Sequence, residues 1–162
     1  MRYLGDDGLK GCLGDIQMIK ERISYVIPIA IDGSKSGTPV LIYEMAKDSH
    51  EVDLSFGIFF IGLRAAKKYS VGIEVFNDNE TPIPIDTKKF SNHMFFTVAE
   101  AGDGETVVSA SMKTTFPKVE IINPGIFEVR ASLVNPDTKE IIDVKSSFFD
   151  IKRAGVVRNE FQ

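Results

Sequence analysis

Cys12, His50 and His93 are the side chains best suited to nucleophilic, acid–base or soft-metal chemistry, and the chain has no other cysteine or histidine. Nucleophilic catalysis needs a thiol or hydroxyl beside a base that a third group orients. Cys12 lies in a stretch with glycine at 5, 8, 11 and 14, which would hold a thiolate poorly. There is no GxSxG to present a serine. With two histidines and neither H-x-H nor HExxH spacing, a transition-metal site is not expected.

Oxygen chemistry has more material. His50, Glu51 and Asp53 cluster, but they straddle alternate faces of an incipient strand, so a solvated strand entrance is the simpler reading. Asn77-Asp78-Asn79-Glu80 offers oxygens to Ca²⁺ without the spaced acids and glycine of an EF-hand loop. Side-chain bonding within a turn accounts for these residues. Paired carboxylates for glycoside hydrolysis depend on separation in space, so a hydrolase with a carboxylate-based site stays open as an alternative. Gly8, Gly11 and Gly14 form neither GxGxxG nor GK[ST], and the reading is a flexible arm rather than a phosphate loop. No cofactor is expected, and the chain is read as a non-enzyme.

Composition narrows the partners. A net charge of -4 over 162 residues gives no general attraction to a phosphate backbone, and no basic patch stands out, so nucleic acid is not expected. The longest apolar run, residues 57–63, is far short of the roughly 20 needed to span a bilayer, so no membrane segment is expected. A lone cysteine and an N-terminal MRYLGDDGLKG without an apolar core point to a reducing cytoplasm. At 43 % hydrophobic and 26 % charged, the chain suits a globular domain rather than disorder.

The elements that would carry any site read as strands. The centre of the pattern is 116–151, where Phe127, Val129, Ala131 and Leu133 alternate with Glu128, Arg130 and Ser132. Asn135-Pro136-Asp137-Thr138 then turns the chain into a strand with Ile142 and Val144 inward, an antiparallel hairpin. Phe148 shares their phase while Phe149 and Ile151 have the opposite one, and a bulge at Ser146-Ser147 would turn the second pair inward. Ile23, Tyr25, Ile27, Ile29 and Ile31 read as inward residues of an edge strand, because Pro28 cannot donate to a ladder. Residues 39–45 give a second strand. Tyr69, Val71, Ile73 and Val75 form another, followed by a loop over 81–90 with Pro82 and Pro84. Met94, Phe96 and Val98 pair as a hairpin with Val108, Ala110 and Met112 across Gly102-Asp103-Gly104.

Eight or nine short strands with at most one short helix, starting at Asp15, predict an all-β antiparallel sandwich. Its divisions are an arm over 1–22, a sandwich over 23–152 and a polar tail over 153–162. Tyr69-x-Val71-x-Ile73-x-Val75, Phe116-Pro117, then Pro124-Gly125-x-Phe127-x-Val129 and a closing hairpin resemble an uncharacterised family of small bacterial Ig-like sandwich proteins. The resemblance spans 69–151, implies an Ig-like sandwich, and lends no activity or site.

Residues 52–63 are the best functional lead. Leu54, Phe56, Ile58 and Phe60 make one face, and Phe59, Ile61 and Leu63 make the other, so neither side is wet from residue 58 onward. Phe59, Ile61 and Leu63 are therefore the expected protein-binding residues, for a protein partner or self-association. The function expected is a non-catalytic interaction or assembly module of bacterial or phage accessory type. A small-ligand or carbohydrate-binding sandwich is the alternative, though the absence of tryptophan removes the usual platform for sugar stacking.

Overall fold

A computed structural model describes residues 20–86, 91–100 and 106–155. The expected glycine-rich arm, the helix start at Asp15, Cys12 and the Gly102-Asp103-Gly104 turn lie outside them.

Among the described residues nine strands follow in order: β1 (Arg22–Pro28), β2 (Ile42–Met45), β3 (Glu51–Arg64), β4 (Lys68–Asn77), β5 (Pro82–Ile83), β6 (His93–Thr97), β7 (Val107–Glu120), β8 (Gly125–Val134) and β9 (Ile141–Arg153). Only one turn of 3-10 helix, Gly33–Lys35, interrupts them among the described residues, and none contains a helix long and apolar enough to cross a membrane. The fold is an all-β sandwich. One sheet has the order β1-β3-β7; the other runs β2-β9-β8-β4-β5, with β6 also on β4.

Between the sheets lies a single core, and strand periodicity supplies most of it. Tyr69, Val71, Ile73 and Val75 of β4 and Val129, Ala131 and Leu133 of β8 are fully buried, with Leu54, Phe56 and Ile58 of β3 facing them. Aromatic rings mark two centres. Phe149 packs edge-on against Tyr43 at 5.5 Å and stacks on Phe127 at 5.9 Å, while Phe96 joins Phe60 and Tyr69, each at 5.5 Å.

The β8–β9 hairpin forms as expected. Asn135 Oδ1 accepts from the Asp137 and Thr138 amides at 3.0 and 3.3 Å, and Lys139 turns left-handed (φ 62°) to start the return. Other expectations are corrected. β6 pairs with β4 and β7 with β3, so 94–98 and 108–112 lie in different sheets and form no hairpin. β2 pairs with β9 in parallel, Ile42 opposite Asp150 and Met45 opposite Arg153, so the larger sheet is mixed.

Three further corrections share one cause, an extra residue that reverses which side of the strand faces in. In β1 the register slips at Ser24, so Val26 and Pro28 become the buried phase and Tyr25 is exposed. In β9 the slip falls at Ile142 rather than Ser146-Ser147, which sends Phe149 and Ile151 inward and leaves Val144 and Phe148 exposed. In β3 it falls at Ile61-Gly62, with Gly62 at φ 75°, a left-handed conformation that suits glycine.

Tyr43 ties the sheets together from β2. Its hydroxyl reaches the point where β1 leaves β3, donates to the Ser55 carbonyl, and accepts from the Ile29 and Ser55 amides at 3.1 and 3.3 Å. Burial pushes its pKa up to about 12. Removing the hydroxyl leaves the Ile29 amide on the Ser55 carbonyl at 2.9 Å but takes the partner from the buried Ser55 amide, so Tyr43→Phe is expected to cost about 1–3 kcal/mol in urea unfolding. The raised folded value also fixes a sign: stability held below the ordinary value of 10 is lost as pH climbs through about 12. Unfolding free energy measured from pH 9 to about 12 should fall in the wild type, and fall less in Tyr43→Phe.

Candidate functional site

The outer surface of the three-stranded sheet carries the candidate site. Ser24 and Gly62 set it, because the slips on either side decide which residues point out. Tyr25 lies opposite Phe59 across the β1–β3 ladder, and Arg22 lies opposite Ile61. Tyr25 is 63 % exposed, Phe59 40 % and Ile61 50 %, and together they form an apolar patch on a surface that a solvated sheet would make polar.

Phe59 has a local reason for its pose. A Cβ on Gly57 would stand 3.3 Å from the Phe59 ring and 3.6 Å from Ile29 Cγ2, so the missing side chain lets the ring lie down over the strand. Ile29 is buried there, outside the main core. Lys113, opposite Gly57, extends its Nζ to Ser36 Oγ at 3.2 Å and borders the patch with charge.

Leu63 does not belong to this face. It is fully buried opposite Val108, because the slip at Ile61-Gly62 returns it to the core. Of the three residues singled out from sequence, Phe59 and Ile61 stand together on the surface. Tyr25 completes the patch and was missed, since strict alternation over 23–31 places it inside. The signal available was Ser24, a small polar residue at a position where a bulge costs little.

A dense polar cluster lies at one end of the sandwich. Glu21, with a side chain 12 % exposed, accepts from Lys67 Nζ at 2.8 Å and from the Tyr69 hydroxyl at 2.7 Å, with Arg64 Nε at 3.7 Å. Burial alone would raise the Glu21 pKa, but the hydrogen bonds from Lys67 and Tyr69 and the nearby cations hold it below the ordinary 4.5. Burial and the Glu21 carboxylate push Tyr69 up to about 12. Near neutral pH the carboxylate is therefore ionised and the phenol protonated, and neither is tuned for proton transfer. The cluster acts as a clamp between the strand ends.

Elsewhere the chemistry-bearing residues are dispersed or occupied. His50 precedes β3 and His93 opens β6 in the other sheet. Asp53 Oδ1 accepts from the Lys118 amide at 2.8 Å. Asn77 Oδ1 is taken by the Asn79 and Thr81 amides at 3.0 and 2.9 Å, the local turn bonding expected of 77–80. No three of the described His, Cys, Asp and Glu side chains are placed to share a metal ion.

One cleft of about 710 Å³ opens at the end of the sandwich where β7 passes to β8. Ile121 and Phe127 line it at the core side, Pro82, Ile83 and Ile122 form walls, and Lys118 and Glu120 stand among the charged residues at its border.

No family model matches the chain, and no curated protein matches it. Solved structures similar to it include a beta-glucuronidase from Bacteroides uniformis, 11 % identical, covering 80 % of this chain and 14 % of that one with a TM-score of 0.48. A bacterial adhesin from Mobiluncus mulieris is 8 % identical over 82 % of this chain and 57 % of its own, at 0.48. A Niemann-Pick type C2 protein from Japanese carpenter ant is 17 % identical over 82 % of this chain and 93 % of its own, at 0.45. This chain thus spans less than two thirds of the length of each of the first two. None of these likenesses assigns it a site or an activity.

The reversal at Gly62 separates two neighbouring leucine-like positions. Leu63→Ala should cost about 2–5 kcal/mol in chemical denaturation, as truncation of a buried side chain does. Ile61→Ala should change stability by no more than about 0.5 kcal/mol.

Proposed function

We propose that this protein is a non-catalytic module that binds another protein through the outer surface of its three-stranded sheet. One observation carries the reading: Tyr25, Phe59 and Ile61 share one patch on a sheet whose opposite face already fills the core. Apolar side chains there are only partly buried by the fold and gain further burial when a partner covers them. Exposed aromatic rings with few rotatable bonds lose little entropy on binding, which suits Tyr25 and Phe59 to anchor a contact. We read the partner as protein rather than nucleic acid or membrane, and the setting as cytoplasmic, in line with the net charge of -4 and the lone Cys12. The Pro124-Gly125 corner before β8 fits an Ig-like variety of sandwich.

A second reading rests on the cleft between the β7–β8 connection and β5. Its volume of about 710 Å³ falls within the usual range for small-molecule sites, and its aliphatic and proline walls fit an apolar ligand better than a sugar ring.

The double variant Phe59→Asp/Ile61→Asp tests the first reading. Neither side chain reaches the core, so the variant should stay folded by circular dichroism, with a loss in urea unfolding of about 1–3 kcal/mol from the uncovered surface of Gly57 and Ile29 and the poor fit of Asp to a strand. Retention of a protein partner from the native cell, or self-association by light scattering, should be lost with it. Retention of the same partner by the folded double variant would remove the patch as the binding surface.

A further inference from the structure

The edges of the two sheets are finished differently. β1 is blunted at both ends: the Ile23 amide donates to Asp143 Oδ2 at 2.8 Å, Ser24 breaks the register, and Pro28 brings no N–H. β2 has four residues, β5 two beginning with proline, and β6 five. Short, bulged or proline-bearing edges discourage strand addition. β7 is the exception. It runs for 14 residues, pairs with β3 along one side, and has no strand on its other side among the described residues.

Two hydrogen bonds show which backbone groups of β7 face outward. Ser55 Oγ donates to the Thr114 carbonyl at 3.1 Å and the Ala65 amide donates to the Thr106 carbonyl at 2.9 Å, so the even-numbered residues aim at β3. By the alternation of an antiparallel ladder, the N–H and C=O groups of Val107, Ser109, Ser111, Lys113 and Thr115 aim away from it. Pro117 and the left-handed Lys118 (φ 52°) end this open run. It holds a single charge, and Lys113 directs that charge across the outer face to Ser36. Ala110, on the inward phase opposite Phe60, is exposed, so the sandwich leaves even the inner side of this segment partly uncovered.

We propose that this edge pairs with the same edge of a second copy of the chain, antiparallel and centred on Ser111. The occupant follows from self-complementarity. Ser111 is the midpoint of the open run, so a two-fold axis there pairs the whole of it, Ser111 against Ser111, Ser109 against Lys113 and Val107 against Thr115, and keeps the one charge, Lys113, away from its own copy. Two three-stranded sheets become one of six strands. Directly opposed residues in an antiparallel pair share a face, so the Tyr25, Phe59 and Ile61 patches of both copies end on one continuous surface. The inference deepens the protein-binding reading and rests on it, yet the two fail separately.

Sedimentation velocity of the intact chain from about 1 μM to 1 mM should show a dimer. Ser111→Lys and Ser111→Glu each oppose like charges at the axis and should each be monomeric while folded by circular dichroism. Mixed one to one, they should restore the dimer. Amide exchange on the unaltered chain gives a readout that needs no variant: protection at Ser109, Ser111 and Lys113 should rise with concentration. A monomer throughout, a dimer indifferent to both charges, or outward amides unprotected in the dimer would overturn the proposal. A dimer abolished by Phe59→Asp/Ile61→Asp but indifferent to charge at Ser111 would overturn it while upholding the patch as the binding surface.

Discussion

Every strand here offers the core one side only, so the fold depends on keeping the correct side inward along strands as long as 14 residues. A twisted sheet closing on another cannot keep perfect alternation for that distance. The chain resets it by inserting residues: Ser24 in β1, Ile61-Gly62 in β3, Pro117-Lys118 in β7 and Ile142 in β9. Each insertion costs a local ladder bond and restores a run of apolar burial. At Pro117-Lys118 the lost pairing is partly replaced, since the freed Lys118 amide finds the Asp53 carboxylate. The surface is shaped by the same events, for the outward set of each strand is whatever the insertion leaves behind.

Tyr43 shows how a polar group is accommodated where two such strands diverge. Where β1 leaves β3 the Ile29 amide still donates to the Ser55 carbonyl at 2.9 Å, but the Ser55 amide and the Ile29 carbonyl, inside the protein, are joined by no ladder bond. A phenol from the opposite sheet brings an aromatic body to the core and a hydroxyl to those groups, so one side chain meets both demands. The Glu21, Lys67 and Tyr69 cluster serves a similar end at another strand terminus, with a charge in place of backbone.

The sequence was most legible where strands alternate without interruption. Tyr69 to Val75 and Phe127 to Leu133 behave as their period demands, and Asn135 announces its turn because its side chain has few other uses there. It was least legible at insertions, which leave weak local marks and change everything downstream: Leu63 and Val144 were assigned the wrong side for that reason, and the phase of Phe148 and Phe149 stayed open. Pairing partners were hidden too. Residues 94–98 and 108–112 look like a hairpin because they are near in sequence, yet the gain from covering Phe60 and Tyr69 with Phe96 draws them into opposite sheets. The candidate patch was half visible, Phe59 and Ile61 from the lack of a wet side, and Tyr25 only once Ser24 was seen to reverse β1.

The parallel pairing of β2 with β9 joins an early segment to a very late one. On a ribosome, Ile42 to Met45 emerges long before residues 150–153 exist, and the ring of Tyr43 cannot meet Phe149 until then. The nascent chain must therefore carry β2 unpartnered through most of translation, with the larger sheet completed only near the end. Such long-range closure makes for slow, cooperative folding and leaves the partly made polypeptide dependent on protection from aggregation.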